Sequence, residues 1–364
     1  MNMDNLERWW RKIAYAKVRT SNRSTHFLFL LSLLYRISSA TKKFFFAQLP
    51  FLRTRVRNPL IVIGNLTVGG SGKTPLVLGC LQRYLSMNER VHLISRGYGA
   101  KFPGSFAYYT NHQWNQGGFF GDELELCVDR FPEIEASVGK RRAVLVGEVG
   151  KSDPHKIIIL DDALQYWRLE QDFRIITIHG SLRFGNGEIF PSGPLRENPR
   201  ELRRANIIVI HNPCETYEFY EEWIQEFIPG KPPLFLSRPA ITSLVDREGA
   251  VVHPAPFNGI KVVCACAIAH PEPFFQEMRE LGMEICGTFS FRDHHQFTEN
   301  EQQLILKTKE ELGASYLVLT EKDKPRWNQV EKSILFARQE LKIENEKEFF
   351  EIIDGYIQRK RQIK

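Results

Sequence analysis

The 364-residue sequence has no C-x-x-C pair among its six cysteines, no internal repeat, no low-complexity tract and no long apolar run. Each absence removes a class of protein. Scattered thiols (Cys80, Cys127, Cys214, Cys264, Cys266, Cys286) carry no zinc-ribbon or redox signature and fit a reducing compartment. Cys264 and Cys266, two apart in the run Val262 to Ile268, read as packed thiols on one side of a strand. The apolar segment from Phe27 to Tyr35 is about half of what a membrane-spanning helix needs. It begins late for a cleaved signal peptide. A net positive charge is also missing over most of the chain. Residues 1–60 hold twelve Lys and Arg against two Asp and Glu, a local +10, while the whole chain is only +6. A basic excess so localised describes one surface and excludes a nucleic-acid binder of ordinary type.

What is present begins with that basic stretch. Residues 1–48 combine Trp9 and Trp10, the apolar segment, Arg36, Lys42, Lys43 and the triplet Phe44-Phe45-Phe46. An apolar body with basic flanks and aromatic anchors predicts a helical segment lying on an anionic membrane surface, peripheral or monotopic. An apolar fraction of 43% is ample for real cores, and the length suggests at least two domains.

The chain is organised around Leu60-Ile-Val-Ile-Gly-Asn-Leu-Thr-Val-Gly-Gly-Ser-Gly-Lys-Thr-Pro75. This reads as a buried strand, a glycine-rich turn and the start of a helix. Thr67, Gly69, Gly70, Ser71 and Gly72 would present backbone N–H groups to a phosphate at a helix N-terminus. Lys73 adds charge, and Thr74 a hydroxyl able to bind Mg²⁺. The pattern G-x-x-x-x-G-K-[ST] is met except that its first glycine falls on Thr67. Downstream, Ile157-Ile-Ile-Leu-Asp161-Asp162 is an apolar strand ending in two acids, the pattern that positions Mg²⁺ beside a phosphate loop. Arg96 follows the strand Val91 to Ser95, on the edge where ligands bind in parallel α/β sheets. Asp122 and Glu123 open a helix after a glycine-aromatic loop, Gln165 continues the loop after Asp162, and Arg196 and Glu197 end a long turn-rich loop. Alternating strand and helix patterns predict an α/β fold: a P-loop NTPase-like parallel-sheet lobe at 49–233, then a smaller α/β lobe at 234–364. The break is placed at Pro229-Gly-Lys-Pro-Pro233. In the second lobe, Asp293-His294-His295 lies between a strand end and a helix that a Thr298/Glu301 capping box opens.

These motifs, in this order, resemble the tetraacyldisaccharide 4′-kinase (lipid A 4′-kinase) family. The matching segments are the phosphate loop, Ser95-Arg-Gly-Tyr-Gly99, Gly121-Asp-Glu123, Asp161-Asp-Ala-Leu-Gln165, Pro194-Leu-Arg-Glu197, Asp293-His-His-Gln-Phe-Thr298 and Thr320-Glu-Lys-Asp323. Ala163, Tyr166 and Leu124 stand where the family commonly has Gly, His and Pro. The resemblance implies two α/β/α lobes joined by a short β hinge. It implies ATP- and Mg²⁺-dependent phosphorylation of the 4′-hydroxyl of a lipid A disaccharide 1-phosphate precursor at the cytoplasmic face of an inner membrane. It further implies Asp122 as general base with His294 paired to it. Lys73 and Thr74 match the phosphate and Mg²⁺ contacts, Asp161 and Asp162 the metal acids, and Arg196 and Glu197 active-site residues. On chemical grounds Asp293 would set the tautomer of His294, and Arg96 or Arg196 would neutralise phosphate charge. A competing reading is a membrane-associated P-loop GTPase or metallochaperone, since Thr320-Glu-Lys-Asp323 superficially resembles a guanine-reading loop. A membrane-surface scaffold with a degenerate loop is the third.

Overall fold

The computed structural model describes residues 3–15, 23–230, 232–268, 271–292 and 295–362; Asp293 and His294 lie outside the described residues. In chain order the first half holds α1 (Met3–Ala14), α2 (Arg23–Gln48), β1 (Leu60–Asn65), α3 (Lys73–Ser86), β2 (Val91–Ser95), β3 (Phe106–Thr110), β4 (Gln113–Trp114) and α4 (Asp122–Arg130). It continues with β5 (Glu135–Gly139), α5 (Arg142–Ser152), β6 (Ile157–Asp161), β7 (Phe173–His179), β8 (Ile207–His211) and α6 (Tyr217–Gln225). The second half holds β9 (Leu234–Val245), β10 (Val251–Pro254), β11 (Lys261–Cys266), α7 (Pro271–Glu280), β12 (Glu284–Ser290), α8 (Glu299–Glu311), β13 (Tyr316–Thr320), β14 (Ile334–Ile343) and α9 (Glu346–Gln362).

One hydrogen-bonded sheet runs β12-β11-β13-β14-β9-β8-β7-β1-β6-β2-β5-β3-β4, with β10 paired to β9 beside that path. The inner strands of the first half are parallel, as are β11, β12, β13 and β14. Both faces of β1 are buried, which is why it reads as an unbroken apolar run. Ile61 and Ile63 pack toward α3, α4 and α9, whereas Leu60 and Val62 pack toward α5. In the second half Cys264 and Cys266 share a face packed on α7, and burial pushes both thiols up to about 12, so they are neutral packing groups. The expected capping box is present: Thr298 accepts from Glu301 N, and Glu301 Oε2 accepts from Thr298 N at 2.8 Å.

The two halves meet through β9 and β14. The start of β9 pairs in parallel with β8, from Leu234 to Ser237. Its remainder pairs antiparallel with β14, so the two strands pass from one half into the other side by side. Pro233, where the sequence places the lobe boundary, immediately precedes β9. Because β13 runs parallel to β14, and β14 heads back to the first half, the C-terminal end of β13 points at the C-terminal edge of the first half's strands. The helix α9 then returns to the first half, burying Phe349, Phe350, Ile353, Tyr356 and Ile357 in the same core as β1 and α3.

At the N-terminus, α2 inverts the usual amphipathic arrangement. Ser32 is its buried residue, accepting from Ser192 N at 2.9 Å and donating to Ile189 O at 2.8 Å. Phe27, Leu30, Leu34, Ile37 and Phe44 face solvent. The helix α1 is fixed by Trp10, whose indole donates to Pro191 O at 2.8 Å. No helix among the described residues is long and apolar enough to cross a membrane.

Tyr356 Oη accepts from Leu60 N at 3.0 Å and donates to Leu60 O at 3.2 Å, both buried. Tyr356→Phe should therefore destabilise by about 1–3 kcal/mol, the cost of leaving buried backbone groups unpaired. Guanidinium unfolding at unchanged m-value would check this; an unchanged midpoint would refute the role given to α9.

Candidate active site

The phosphate loop is held from three sides. Leu195 pairs as an isolated bridge with Thr67, Val68 N donates to Pro194 O at 2.7 Å, and Arg196 N donates to Leu66 O at 2.6 Å. The long loop 184–197 therefore serves as a strand-like brace for the loop. This explains the missing first glycine: Thr67 lies in extended pairing, where a β-branched residue is at home. Tyr15 Oη, from beyond α1, donates to Val68 O at 3.1 Å. Ser71 Oγ shares a hydrogen bond of 3.0 Å with Thr177 on β7, and Gln165 Nε2 donates to Asn65 O at 2.9 Å.

Gly72 caps α3 with φ 83°, a left-handed conformation. A Cβ there would fall 2.2 Å from Cγ of His211, whose ring floors the loop from the end of β8. Both the backbone and the space require glycine. His211 is held neutral: burial first, then His179 and Lys322, push its pKa down to about 3. The helix α3 begins at Lys73, so Pro75 sits in its first turn, where a missing N–H costs little. Gly69 and Gly70 at the crown of the loop remain exposed.

Two strand-end acids divide the labour. Asp162, with φ 48°, is a left-handed non-glycine residue of the kind that accumulates at functional sites. Its carboxylate receives Arg196 NH1 at 2.8 and 2.9 Å and lies 3.7 Å from Lys73 Nζ. Burial alone would raise its pKa, but Lys73 and Arg196 outweigh burial and hold it below the usual carboxylate range. Asp161 has no such partner: its Oδ1 is buried and makes no hydrogen bond among the described residues. Burial, and then the neighbouring Glu123 carboxylate, push Asp161 up to about 7 against the pull of Lys73. Glu123 Oε1 in turn accepts from Thr74 Oγ1 at 2.8 Å. Thr74, Glu123 and Asp161 thus form a set of hard oxygen donors beside the loop, one of them an orphaned buried oxygen. That set suits Mg²⁺, which takes hydroxyl, carboxylate and water oxygens.

Asp122 opens α4 after Gly121, whose φ is 101°. Its Oδ1 lies 3.8 Å from Nε of Arg326, a buried guanidinium on the 3-10 turn Glu321–Arg326 that follows β13. The expected residues Lys73, Thr74, Asp161, Asp162, Gln165 and Arg196 therefore gather at one strand edge, with Asp122 next to the Glu123 that bonds Thr74. Arg96 is at the same edge but exposed. Glu197 pairs with Arg204, which also holds Glu201 at 2.9 Å, and hydrogen-bonds the side chain of Gln165. Asp293 and His294 lie outside the described residues. Two residues escaped the motif reading, and Glu123 stood inside the motif Gly121-Asp-Glu123 with no role assigned to it. Arg142, which donates to the Asp162 carbonyl at 2.8 Å and stacks over Tyr166 at 4.6 Å, carried no sequence signal. Arg326 lies just past the motif Thr320–Asp323. Ala163 and Leu124 are core residues, so those departures from the family pattern are accommodated by packing.

A helix N-terminus and a lysine aimed at the mouth of a cleft, with carboxylates on its wall, define a P-loop phosphotransferase. Known proteins narrow the class. The family model described as LpxK, tetraacyldisaccharide-1-P 4′-kinase, matches residues 24–358. The tetraacyldisaccharide 4′-kinase of Anaeromyxobacter dehalogenans is 33% identical over 279 residues, covering 75% of this chain and 73% of its own. That of Bdellovibrio bacteriovorus is 29% identical over 273 residues, 75% of this chain and 80% of its own. The solved "apo"-form LpxK of Aquifex aeolicus in complex with ATP shares the fold, with TM-score 0.67 and 24% identity over 90% of this chain and 97% of that one. The chain belongs to the tetraacyldisaccharide-1-phosphate 4′-kinase family. The GTPase reading is not favoured, and its motif is spoken for. Asp323 is fully buried and bonded to Thr320 Oγ1 at 2.5 Å, Ala267 N at 3.2 Å and Arg326 at 3.1 Å, leaving nothing to read a base.

The raised pKa of Asp161 makes the metal-free protein pH-dependent. The folded state keeps a proton that the unfolded chain releases near 3.8, so stability falls as pH rises from about 4 to about 7 and then levels off. Asp161→Asn should stabilise the Mg²⁺-free protein by about 1–3 kcal/mol at pH 8, the scale for relieving a buried unpaired polar group, with the gain shrinking toward pH 4. Thermal melts in chelator across pH would show it; a destabilised variant at pH 8 would contradict the assignment.

Proposed function

We propose that this chain transfers the γ-phosphoryl group of ATP to the 4′-hydroxyl of a tetraacyldisaccharide 1-phosphate, a step of lipid A and hence lipopolysaccharide synthesis, at the cytoplasmic face of an inner membrane. The observation that carries this reading is the contact of Thr74 with Glu123 beside the orphaned Asp161 oxygen, directly at the phosphate loop. The family membership supports the acceptor, and the ATP-bound Aquifex relative supports the donor.

Thr74, Glu123 and Asp161 would hold Mg²⁺, with Asp162 behind them. When bound, the ion would supply neutralisation of phosphate charge. The protein's own contribution is positioning. Loop amides from Gly69 to Thr74 receive the phosphate oxygens, and Asp162 holds Lys73 and Arg196 beside them. Asp122 accepts the proton of the sugar hydroxyl, and His294, by the family resemblance, holds or shares that proton. Arg96, exposed at the same strand edge, is placed to meet a substrate phosphate.

The exposed apolar face of α2 supports delivery of the greasy acceptor from an anionic bilayer. Arg36 and Lys42 are exposed on the same helix. Each basic side chain near an anionic surface contributes about 1 kcal/mol. Leu34→Glu with Ile37→Glu should abolish co-flotation with anionic vesicles while ATP binding persists; undiminished flotation would remove α2 as the anchor.

The reaction is tested by incubating purified protein in detergent with ATP, Mg²⁺ and the disaccharide 1-phosphate, reading the lipid mass. A gain of one phosphate is expected; acceptor-independent hydrolysis of GTP would instead favour a switch. Asp122→Asn and His294→Ala should each lower kcat by about 10²–10⁴-fold, the usual worth of a general base, with ATP affinity retained. Near-normal turnover would withdraw that residue's role.

A further inference from the structure

The turn after β13, Thr320-Glu-Lys-Asp-Lys-Pro-Arg326, has no part in the chemistry above, yet it grips the helix that carries Asp122. Arg326 faces Asp122 at the N-terminus of α4 at 3.8 Å. Near its C-terminus, Lys324 Nζ bonds Asp129 at 2.6 Å and Arg130 lies 3.5 Å from Glu321. Ion pairs thus join α4 to this turn near both its ends.

The Arg326 guanidinium is itself rigidly seated. Its NH2 donates to Asp323 Oδ1 at 3.1 Å and to Lys322 O at 2.9 Å, and its NH1 donates to His295 O at 3.3 Å. Asp323 is anchored by Thr320 and Ala267. The remaining edge of the fork, Nε, is buried, makes no hydrogen bond among the described residues, and is the edge that faces Asp122. In such surroundings a charge at this distance acts strongly, because little water intervenes to screen it. A planar fork that cannot lose its proton suits this three-way tie.

We propose that Arg326 is a positioning residue for phosphoryl transfer. It fixes the Asp122 carboxylate while its own guanidinium is tied to the carbonyl of His295. This rests on the reading of Asp122 as the base.

Arg326→Gln should lower kcat by about 10²-fold, the scale of a misplacement near 1 Å, with KM and Kd for ATP within about twofold of wild type. Arg326→Lys should recover kcat to within about tenfold, since the charge survives without the fork. In an Asp122→Asn background, Arg326→Gln should cost nothing further, because residues acting as a unit are non-additive. A wild-type kcat in Arg326→Gln, or an equal loss in both backgrounds, overturns the proposal. Normal turnover of Asp122→Asn alone would instead overturn the base reading beneath it. Should Arg326→Gln not fold, Arg326→Lys in the two backgrounds decides the point: a severalfold loss confined to the Asp122 background supports the proposal, and equal or absent losses overturn it.

Discussion

Everything at the cleft depends on one reversal of direction. The strands β9 and β14 are antiparallel, and each belongs to a different parallel set. Two parallel sheets joined this way must turn their C-terminal edges toward each other. Parallel α/β sheets bind ligands at that edge, so the antiparallel pair sets two such edges facing each other. The phosphate loop, Asp161 and Asp162 lie at one edge and the turn Thr320–Arg326 at the other, the two meeting where Arg326 faces Asp122.

The site concentrates charge where burial makes charge costly. Asp162 is paired with two cations and stays ionised; Asp161, a residue away, is not and is pushed up by burial. Two adjacent carboxylates thus differ because of their partners, not their chemistry. The lysine of the loop, Lys73, lies 3.7 Å from the Asp162 carboxylate, and under the proposed reading a phosphate would compete with that carboxylate for it.

Much of this was legible in the residues. Apolar runs such as Ile157 to Leu160 announce strands buried on both faces, and Thr298 with Glu301 announces a helix start. The glycines, lysine and threonine of the phosphate loop fall where local geometry alone requires them. What was not legible depends on distant partners. The antiparallel extension β3–β4 beyond β5 has no helix crossover to announce it, and β4 is only two residues long. The docking of α9 on β1 pairs Tyr356 with Leu60 across 296 positions. Glu123 stands in a motif without a role until Thr74 is seen against it, and nothing in the sequence marks Arg326 as buried. The ion pairs of Glu197 with Arg204, and of Arg204 with Glu201, join residues that no motif links.

The return of α9 bears on how the molecule comes into being on the ribosome. The sheet that carries the phosphate loop is synthesised early, but its core stays open on one face until Phe349, Ile353 and Tyr356 arrive. Vectorial synthesis delivers domains N-terminal first. Here the first half must wait for the second, with β1 and α3 exposed in the interval. Premature termination before α9 would leave a nascent chain with an uncovered apolar surface beside the exposed apolar face of α2, a substrate for chaperones and proteases and not a partial enzyme.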